Sequence, residues 1–261
     1  MRSDRVTVVI PTYNEVANLP LIAEAVTDLG YRLLIVDDAS PDGTGELADR
    51  LAEASTLISV LHRPSKQGLG PAYAQAFGQL IEAGGSECIV QMDADFSHDP
   101  AAIPSLVEAV DRGADLAVGS RYVSGGSMPD WPLLRRLISR GGNVYAGLLL
   151  GLRIKDATAG FRGWRASSLK RLAFGTAEAS GYGFQVEMAW MAQRAEFTIV
   201  EVPITFRDRT RGTSKMNGSI VAEAMKLVTQ WGLGRLLRRT PRSRDRRFPT
   251  GREGRYRRRH E

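Results

Sequence analysis

An apolar, β-branched run from Val6 to Ile10 predicts a buried strand near the start of the chain, and Pro11 follows as its stop. From there strand-like and helix-like patterns alternate. Asn14 to Gly30 carries Leu19, Ile22, Ala23 and Val26 at helical spacing and ends on a glycine, which predicts a helix. Arg32 to Val36 predicts a second strand, Pro41-Asp42-Gly43 a turn, and Thr44 to Ala54 a helix. The alternation continues with Leu57 to Leu61 (strand), Gly68 to Glu82 (helix), Glu87 to Met92 (strand), Pro100 to Arg112 (helix) and Asp115 to Val118 (strand). Such a sequence of elements indicates an α/β domain, a mostly parallel sheet flanked by helices. After Gly119 the pattern changes. Trp131 to Leu152 reads as an amphipathic helix, with arginines set among Leu133, Leu134, Leu137 and Ile138. A helix near Phe184 to Arg194, a strand-like run from Thr198 to Phe206 and a last helix from Gly218 to Trp231 complete the reading.

In parallel α/β sheets, ligands bind beyond the carboxyl ends of the strands, where the strand order reverses. Three polar clusters fall at such ends: Tyr13-Asn14-Glu15, Asp37-Asp38 and Asp93-Ala94-Asp95. The last is the most informative. Two carboxylates one residue apart suit a hard divalent cation that carries a phosphorylated ligand, because Mg²⁺ is usually held by one or two carboxylates plus substrate phosphates. Alone, such a pair is more often two solvated loop acids. The shared position of all three clusters moves the reading to a nucleotide-phosphate site.

Composition narrows the class. With 261 residues, 43% hydrophobic and 25% charged, the chain has the make-up of a soluble globular protein of one large or two small domains. Its single cysteine, Cys88, excludes an internal disulfide framework and a cysteine-rich metal site. The N-terminal stretch lacks the apolar core of a secretory signal, and no uninterrupted apolar run reaches the roughly 18 residues of a membrane span. A cytoplasmic location is the default expectation. The net charge of +6 is unevenly placed: from Arg235 to Glu261 there are 12 arginines against three acids, so the rest of the chain is slightly acidic. We expect a catalytic domain over residues 1–232 and a disordered, Arg-rich tail over 233–261. A block of this kind has anionic partners, a membrane surface or a nucleic acid. Nucleic-acid binding as the main role is disfavoured, since the body is acidic and shows no basic face.

Six motifs then occur in order: Pro11-Thr12-Tyr13-Asn14-Glu15, Val36-Asp37-Asp38 through Pro41-Asp42-Gly43-Thr44, Asp93-Ala94-Asp95, Gly119-Ser120-Arg121-Tyr122, Asp156-Ala157-Thr158-Ala159-Gly160-Phe161-Arg162, and Arg209-Thr210-Arg211-Gly212-Thr213-Ser214-Lys215. Over residues 5 to 220 the chain resembles inverting family 2 glycosyltransferases of the GT-A fold. Within them it is similar to the dolichol-phosphate (polyprenol-phosphate) mannose synthases of the type without C-terminal transmembrane helices. The resemblance implies GDP-mannose as donor, a polyprenyl phosphate as acceptor, and inversion to a β-linked lipid phosphomannose. It gives Pro11, Tyr13 and Glu15 to the guanosine pocket, Val36 and Asp38 to the base and ribose, and Ala94 to the donor site. It gives Mg²⁺ or Mn²⁺ to Asp93 and Asp95, and the donor diphosphate to Arg209 and Lys215, with Arg211 sharing the loop. Asp37 and Asp42 read as turn residues. Where some relatives carry a Gln as a further metal ligand this chain has Ser97, which leaves the next ligand open; His98 beside it is a candidate neighbour of the pair, against the commoner reading of a lone loop His as exposed.

Arg121, Arg135 and Ser139 match positions that hold the lipid phosphate, with Arg136 and Arg140 as close alternatives. Asp156 stays open between orienting the sugar, orienting an arginine such as Arg162, and stabilising charge at the anomeric carbon. An acceptor phosphate is already anionic near neutral pH, so no general base is required; cations and positioning are. The apolar side of the amphipathic segment and the basic tail are expected at the cytoplasmic face of a membrane, alone or with a membrane-protein partner. UDP-glucose remains the alternative donor, since pocket shape decides that choice.

Overall fold

The computed structural model describes residues 1–177, 179, 181, 183–208 and 218–237. The expectations for Arg209, Arg211, Gly212 and Lys215, and for the chain beyond Leu237, lie outside these residues. Among the described residues one sheet contains seven strands: β1 (Val6–Thr12), β2 (Arg32–Asp37), β3 (Ile58–His62), β4 (Cys88–Gln91), β5 (Leu116–Ser120), β6 (Arg162–Arg165) and β7 (Ile199–Pro203). Their order is β3-β2-β1-β4-β6-β5-β7. Only β6 runs antiparallel, inserted between β4 and β5. The helices are α1 (Leu19–Thr27), α2 (Thr44–Ala54), α3 (Leu69–Ala83), α4 (Ile103–Asp111), α5 (Leu133–Leu150), α6 (Ala166–Leu169), α7 (Gly183–Arg194) and α8 (Gly218–Leu237).

The sheet is buried on both faces, which is why its strands read as continuous apolar runs. Successive side chains alternate between the faces. Val8, Ile10, Leu33, Ile35 and Val90 pack with α1 and α4, through Leu19, Ile22, Leu106 and Val110. Val9, Leu34, Val36, Ile89 and Trp164 pack with α3 and α7, through Tyr73, Phe77, Phe184 and Met188. A smaller cluster, including Ala146, Val186 and Val228, joins α5, α7 and α8.

Several boundaries differ from the sequence reading, each for a local reason. Pro11 does not end β1. The strand continues to Thr12, with Pro11 opposite Val36. Val9 turns its backbone towards β4, accepting from Met92 N–H at 3.2 Å, and pairing with β4 stops there. Pro11 faces the same way beyond the last pair, so its missing N–H costs no ladder bond. Helix α1 begins at Leu19 rather than at Asn14. Pro20 belongs in a first turn, where a missing N–H is harmless, and Asn14 has a left-handed backbone with φ 58°. Helix α8 runs to Leu237, so residues 233–237, expected to open the tail, are helical.

Strand β6 was not foreseen. Arg-Gly-Trp-Arg carries no apolar pattern, yet Arg162, Gly163 and Trp164 are all buried. Gly163 lets α4 approach: a Cβ there would stand 3.3 Å from the Leu106 Cβ.

Candidate active site

The chain leaves β1, β2 and β4 through three non-glycine residues in left-handed backbone, Asn14 (φ 58°), Ala39 (φ 53°) and Phe96 (φ 59°). Each such residue costs roughly 1–2 kcal/mol. Their concentration along the carboxyl edge of the sheet marks it as the place where the fold accepts strain.

The ends of β1 and β2 bring Pro11, Tyr13, Glu15, Val36 and Asp38 together. Tyr13 is half-buried, with Lys66 Nζ 3.9 Å from its ring centre. The Glu15 carboxylate accepts from Asn18 Nδ2 at 2.9 Å, and the Glu15 N–H donates to Thr44 Oγ1 at 3.0 Å. Asp37 accepts from Ser40 N–H (3.2 Å) and Ser40 Oγ (2.6 Å), so it holds the turn after β2. Asp42 caps the next turn. Burial alone would raise its carboxyl, but hydrogen bonds from the Thr44 hydroxyl and from the Val16 and Thr44 N–H groups hold it below the ordinary carboxylate value.

Asp38 is buried and ion-paired with Arg63, a residue that sequence reasoning missed. Arg63 also donates to Gln75 Oε1 and Gln67 Oε1, each at 3.1 Å. Burial raises the Asp38 carboxyl, and the Arg63 hydrogen bond and charge oppose that rise. The available signal was position: Arg63 follows β3 as Asp38 follows β2.

Beyond β4, Asp93 is one-third exposed and Asp95 is buried, as is Ala94 between them. Asp95 Oδ1 accepts from Ser97 N–H at 3.0 Å, closing a tight turn. His98 is buried, not exposed as expected. It stacks on Phe161 with ring centres 5.1 Å apart and meets the edge of Phe206 at 5.4 Å. Its Nδ1 accepts from Asp93 N–H at 3.3 Å, which assigns the ring proton to Nε2. Burial pushes its pKa down to about 4, so its 3.8 Å approach to the Asp93 carboxylate is not an ion pair at neutral pH. Among the described residues no group of three or more His, Cys, Asp or Glu is placed to hold a metal by itself. Two carboxylates on one turn are a donor set that fits a hard cation completing its shell with phosphate and water.

The turn 156–160 lies beside this pair; a Cβ on Gly160 would stand 3.7 Å from Asp93 Oδ2. Of the three roles left open for Asp156, the geometry shows an arginine partner, but it is Arg121 and not Arg162. Asp156 is fully buried. It accepts from Arg121 Nη2 (2.7 Å), Nε (2.8 Å) and backbone N–H (2.9 Å). Lys155 and Asp156 N–H groups donate in turn to the Glu201 carboxylate at 2.9 and 3.0 Å. Arg162 staples the same turn from below, donating to the carbonyls of Ala157 (2.8 Å) and Ala159 (2.9 Å). Burial pulls its pKa down to about 9, and the charge of Asp156 works against the fall.

The structure also gathers Arg121, Arg135 and Ser139 around Trp131 and Tyr122. The guanidinium carbons of Arg135 and Arg121 lie 4.1 and 5.4 Å from the Trp131 ring centre. Tyr122 Oη donates to Ser139 Oγ at 2.8 Å. Arg136 turns instead to the Pro129 carbonyl (3.1 Å), and Arg140 is exposed. The outward face of α5 is apolar and bare: Leu133, Leu134, Leu137, Ile138 and Leu148 are each at least 59% exposed. No helix among the described residues is long and apolar enough to cross a membrane.

The family description "Glycosyl transferase family 2" matches residues 7–173, from β1 past the Asp156 turn. This chain belongs to glycosyl transferase family 2. The family 2 transferase is 49% identical, over 231 residues, to an undecaprenyl-phosphate mannosyltransferase of Micrococcus luteus, a match covering 88% of this chain and 94% of that one. It is 48% identical to a polyprenol monophosphomannose synthase of Mycolicibacterium smegmatis, over 90% of this chain and 89% of the other. Among solved structures, mannosyl-3-phosphoglycerate synthase from Rubrobacter xylanophilus shares the fold of the transferase, with a TM-score of 0.58 over 94% of this chain and 77% of that one at 16% identity.

Proposed function

We propose that this family 2 transferase moves mannose from GDP-mannose to a polyprenyl phosphate with inversion, releasing GDP and polyprenyl phosphate β-mannose. The observation that carries the reading is the near-full-length likeness to two proteins named for mannosyl transfer to polyprenyl lipids. The acceptor side agrees with it: two guanidinium groups flank Trp131, and two of the carboxylates there, Asp156 and Asp208, are paired with arginines. A hydroxyl acceptor calls for a base at that place, whereas a phosphate acceptor calls for cations.

In this reading the guanosine lies over the ends of β1 and β2, against Pro11, Tyr13, Glu15, Val36 and Asp38. Asp93 and Asp95, with Ala94 between them, would hold Mg²⁺ or Mn²⁺ at the donor diphosphate; Arg209 and Lys215 would add charge to the same group. The bound ion supplies Lewis-acid stabilisation of the departing GDP. Arg121, fixed by Asp156, and Arg135 with Ser139 hold the lipid phosphate on the opposite side of the sugar. Its oxygen is then positioned for in-line attack, and proximity supplies much of the rate. The bare apolar face of α5 rests in the membrane interface and the Arg-rich C-terminal segment meets anionic headgroups, a peripheral placement at the cytoplasmic face.

The experiment is transfer from a panel of GDP- and UDP-sugars to a polyprenyl phosphate, with and without divalent metal. Mannosyl transfer from GDP-mannose that stops on chelation and returns with Mg²⁺ or Mn²⁺ is expected, as is its loss in Asp95→Asn. Turnover of UDP-glucose alone would overturn the donor assignment.

A further inference from the structure

Arg135 already holds an oxyanion. Its Nη1 donates to Asp208 Oδ1 at 2.6 Å, and both side chains are 42% exposed. Asp208 is delivered by a braced segment. Its N–H faces Asp130 Oδ2 at 3.4 Å. Just before it, Phe206 N–H donates to the Ser127 carbonyl (2.9 Å) and Arg207 N–H to the Ser97 carbonyl (3.2 Å). Phe206 also meets the Trp131 ring edge at 5.4 Å. A carboxylate is thus fixed against the guanidinium that flanks Trp131 together with Arg121.

We propose that Asp208 is an internal stand-in for the acceptor phosphate: it occupies Arg135 before the lipid arrives and is displaced when the phosphate binds. The inference rests on the reading of Arg135 as a lipid-phosphate ligand. Carboxylate and phosphate compete for the same donors, because a guanidinium fork matches the geometry of both. At Arg135 they compete for Nη1, the nitrogen that Asp208 occupies, and the half-exposed Asp208 has solvent to move into, unlike the buried Asp156 on Arg121. The exchange is easy in this direction. A half-exposed ion pair contributes little, and a phosphate monoester brings more negative charge than a carboxylate.

The same chemistry favours turnover. The acceptor is a monoester that carries more than one negative charge near neutral pH. The product is a diester with a single charge, a poorer competitor for Arg135. Return of Asp208 to Arg135 lowers the apparent affinity of both by the same factor, so the product, already the weaker ligand, is the more readily released.

The test is steady-state transfer to a polyprenyl phosphate in detergent by the full chain carrying Asp208→Asn. An exposed pair of this kind is worth about a two- to fivefold change in binding. The expected result is a fall of that size in the KM for the lipid, with the KM for GDP-mannose changed less. Inhibition by added polyprenyl phosphomannose should strengthen in step, and Asp208→Glu should restore the original values. In an Arg135→Ala background, Asp208→Asn should leave the lipid KM where Arg135→Ala put it. If Arg135→Ala raises the lipid KM but Asp208→Asn fails to lower it, the stand-in role is wrong and Arg135 keeps its assignment. If Arg135→Ala leaves the lipid KM unchanged, the assignment of Arg135 falls and takes this inference with it.

Discussion

Replacing Asp156 with Asn strips one charge from a pair almost wholly removed from water: Asp156 is 0% and Arg121 8% exposed. The carboxylate accepts three hydrogen bonds from Arg121, at 2.7 to 2.9 Å, and one from Thr158 Oγ1 at 3.2 Å. Asn keeps the shape but has one acceptor oxygen for two. Its amide nitrogen must face a donor of Arg121, and the guanidinium loses its counter-charge. Breaking one partner of a buried pair costs about 3–5 kcal/mol, a large share of the roughly 5–15 kcal/mol that keeps a domain folded. At about 2–4 °C per kcal/mol for a chain of this size, the melting temperature should fall by about 6–20 °C. Scanning calorimetry of Asp156→Asn, Arg121→Met and the double variant measures it. Removing both partners should cost less than the two single changes added together, because neither is then left alone. In steady-state assays the KM for polyprenyl phosphate should rise more than that for GDP-mannose, since Arg121 loses its anchor while Asp93 and Asp95 stay in place. A melting temperature within about 2 °C of the parent, or strict additivity in the double variant, would refute the pairing as the reason Asp156 is present.

Other outcomes follow from groups already described. In metal-free protein the His98 pKa of about 4 lies below the usual 6.5, so between these values the unfolded chain binds more protons than the folded one. Stability is then complete above about pH 6.5 and falls as the pH drops towards 4; denaturant titrations should show the slope, and His98→Gln should flatten it. The Cys88 thiol, pushed up to about 12 by burial, should resist thiol reagents at pH 8 until the protein unfolds, and rapid labelling of native protein would contradict its placement. Leu134→Gln with Leu137→Gln should weaken binding to anionic vesicles by about tenfold or more, since inserting each leucine is worth about 1–2 kcal/mol. Co-sedimentation equal to the parent's would remove α5 from the membrane contact.

The proposed donor half of the site was legible because its strands are buried on both faces. Apolar runs such as Val6–Ile10 located their carboxyl ends, and with them Tyr13, Asp38 and Asp93. What sequence could not give was pairing across the chain. Asp38 meets Arg63, and Arg121 meets Asp156, through contacts between separate loops that no local pattern encodes. Strand β6 escaped for a related reason. Its side chains staple carbonyls and make room for α4, and those tasks select Arg and Gly over β-branched residues. His98 was misjudged because a loop position suggests exposure, whereas Phe161 and Phe206 close over it. The proposed acceptor residues owed their assignment to family resemblance, and only the folded chain brings Arg121 and Arg135 to the Trp131 ring and Ser139 to the neighbouring Tyr122.

The reversed strand β6 acts as a ruler. Because it runs against its neighbours, its first residue, Arg162, lies level with Gln91 of β4 and Val118 of β5 at the carboxyl edge. The chain therefore arrives at that edge from α5 instead of departing from it. Helix α5 is leashed to the middle of the sheet by a short segment that carries Asp156 and passes beside Asp93. The two ladders of β6 fix the far end of that leash and so limit how far α5 can move from Asp93 and Asp95. In the proposed reaction the attacking oxygen and the leaving diphosphate are thereby held on one scaffold of backbone hydrogen bonds. On the proposed function, a gauge of this kind makes the enzyme exacting about where the acceptor phosphate sits.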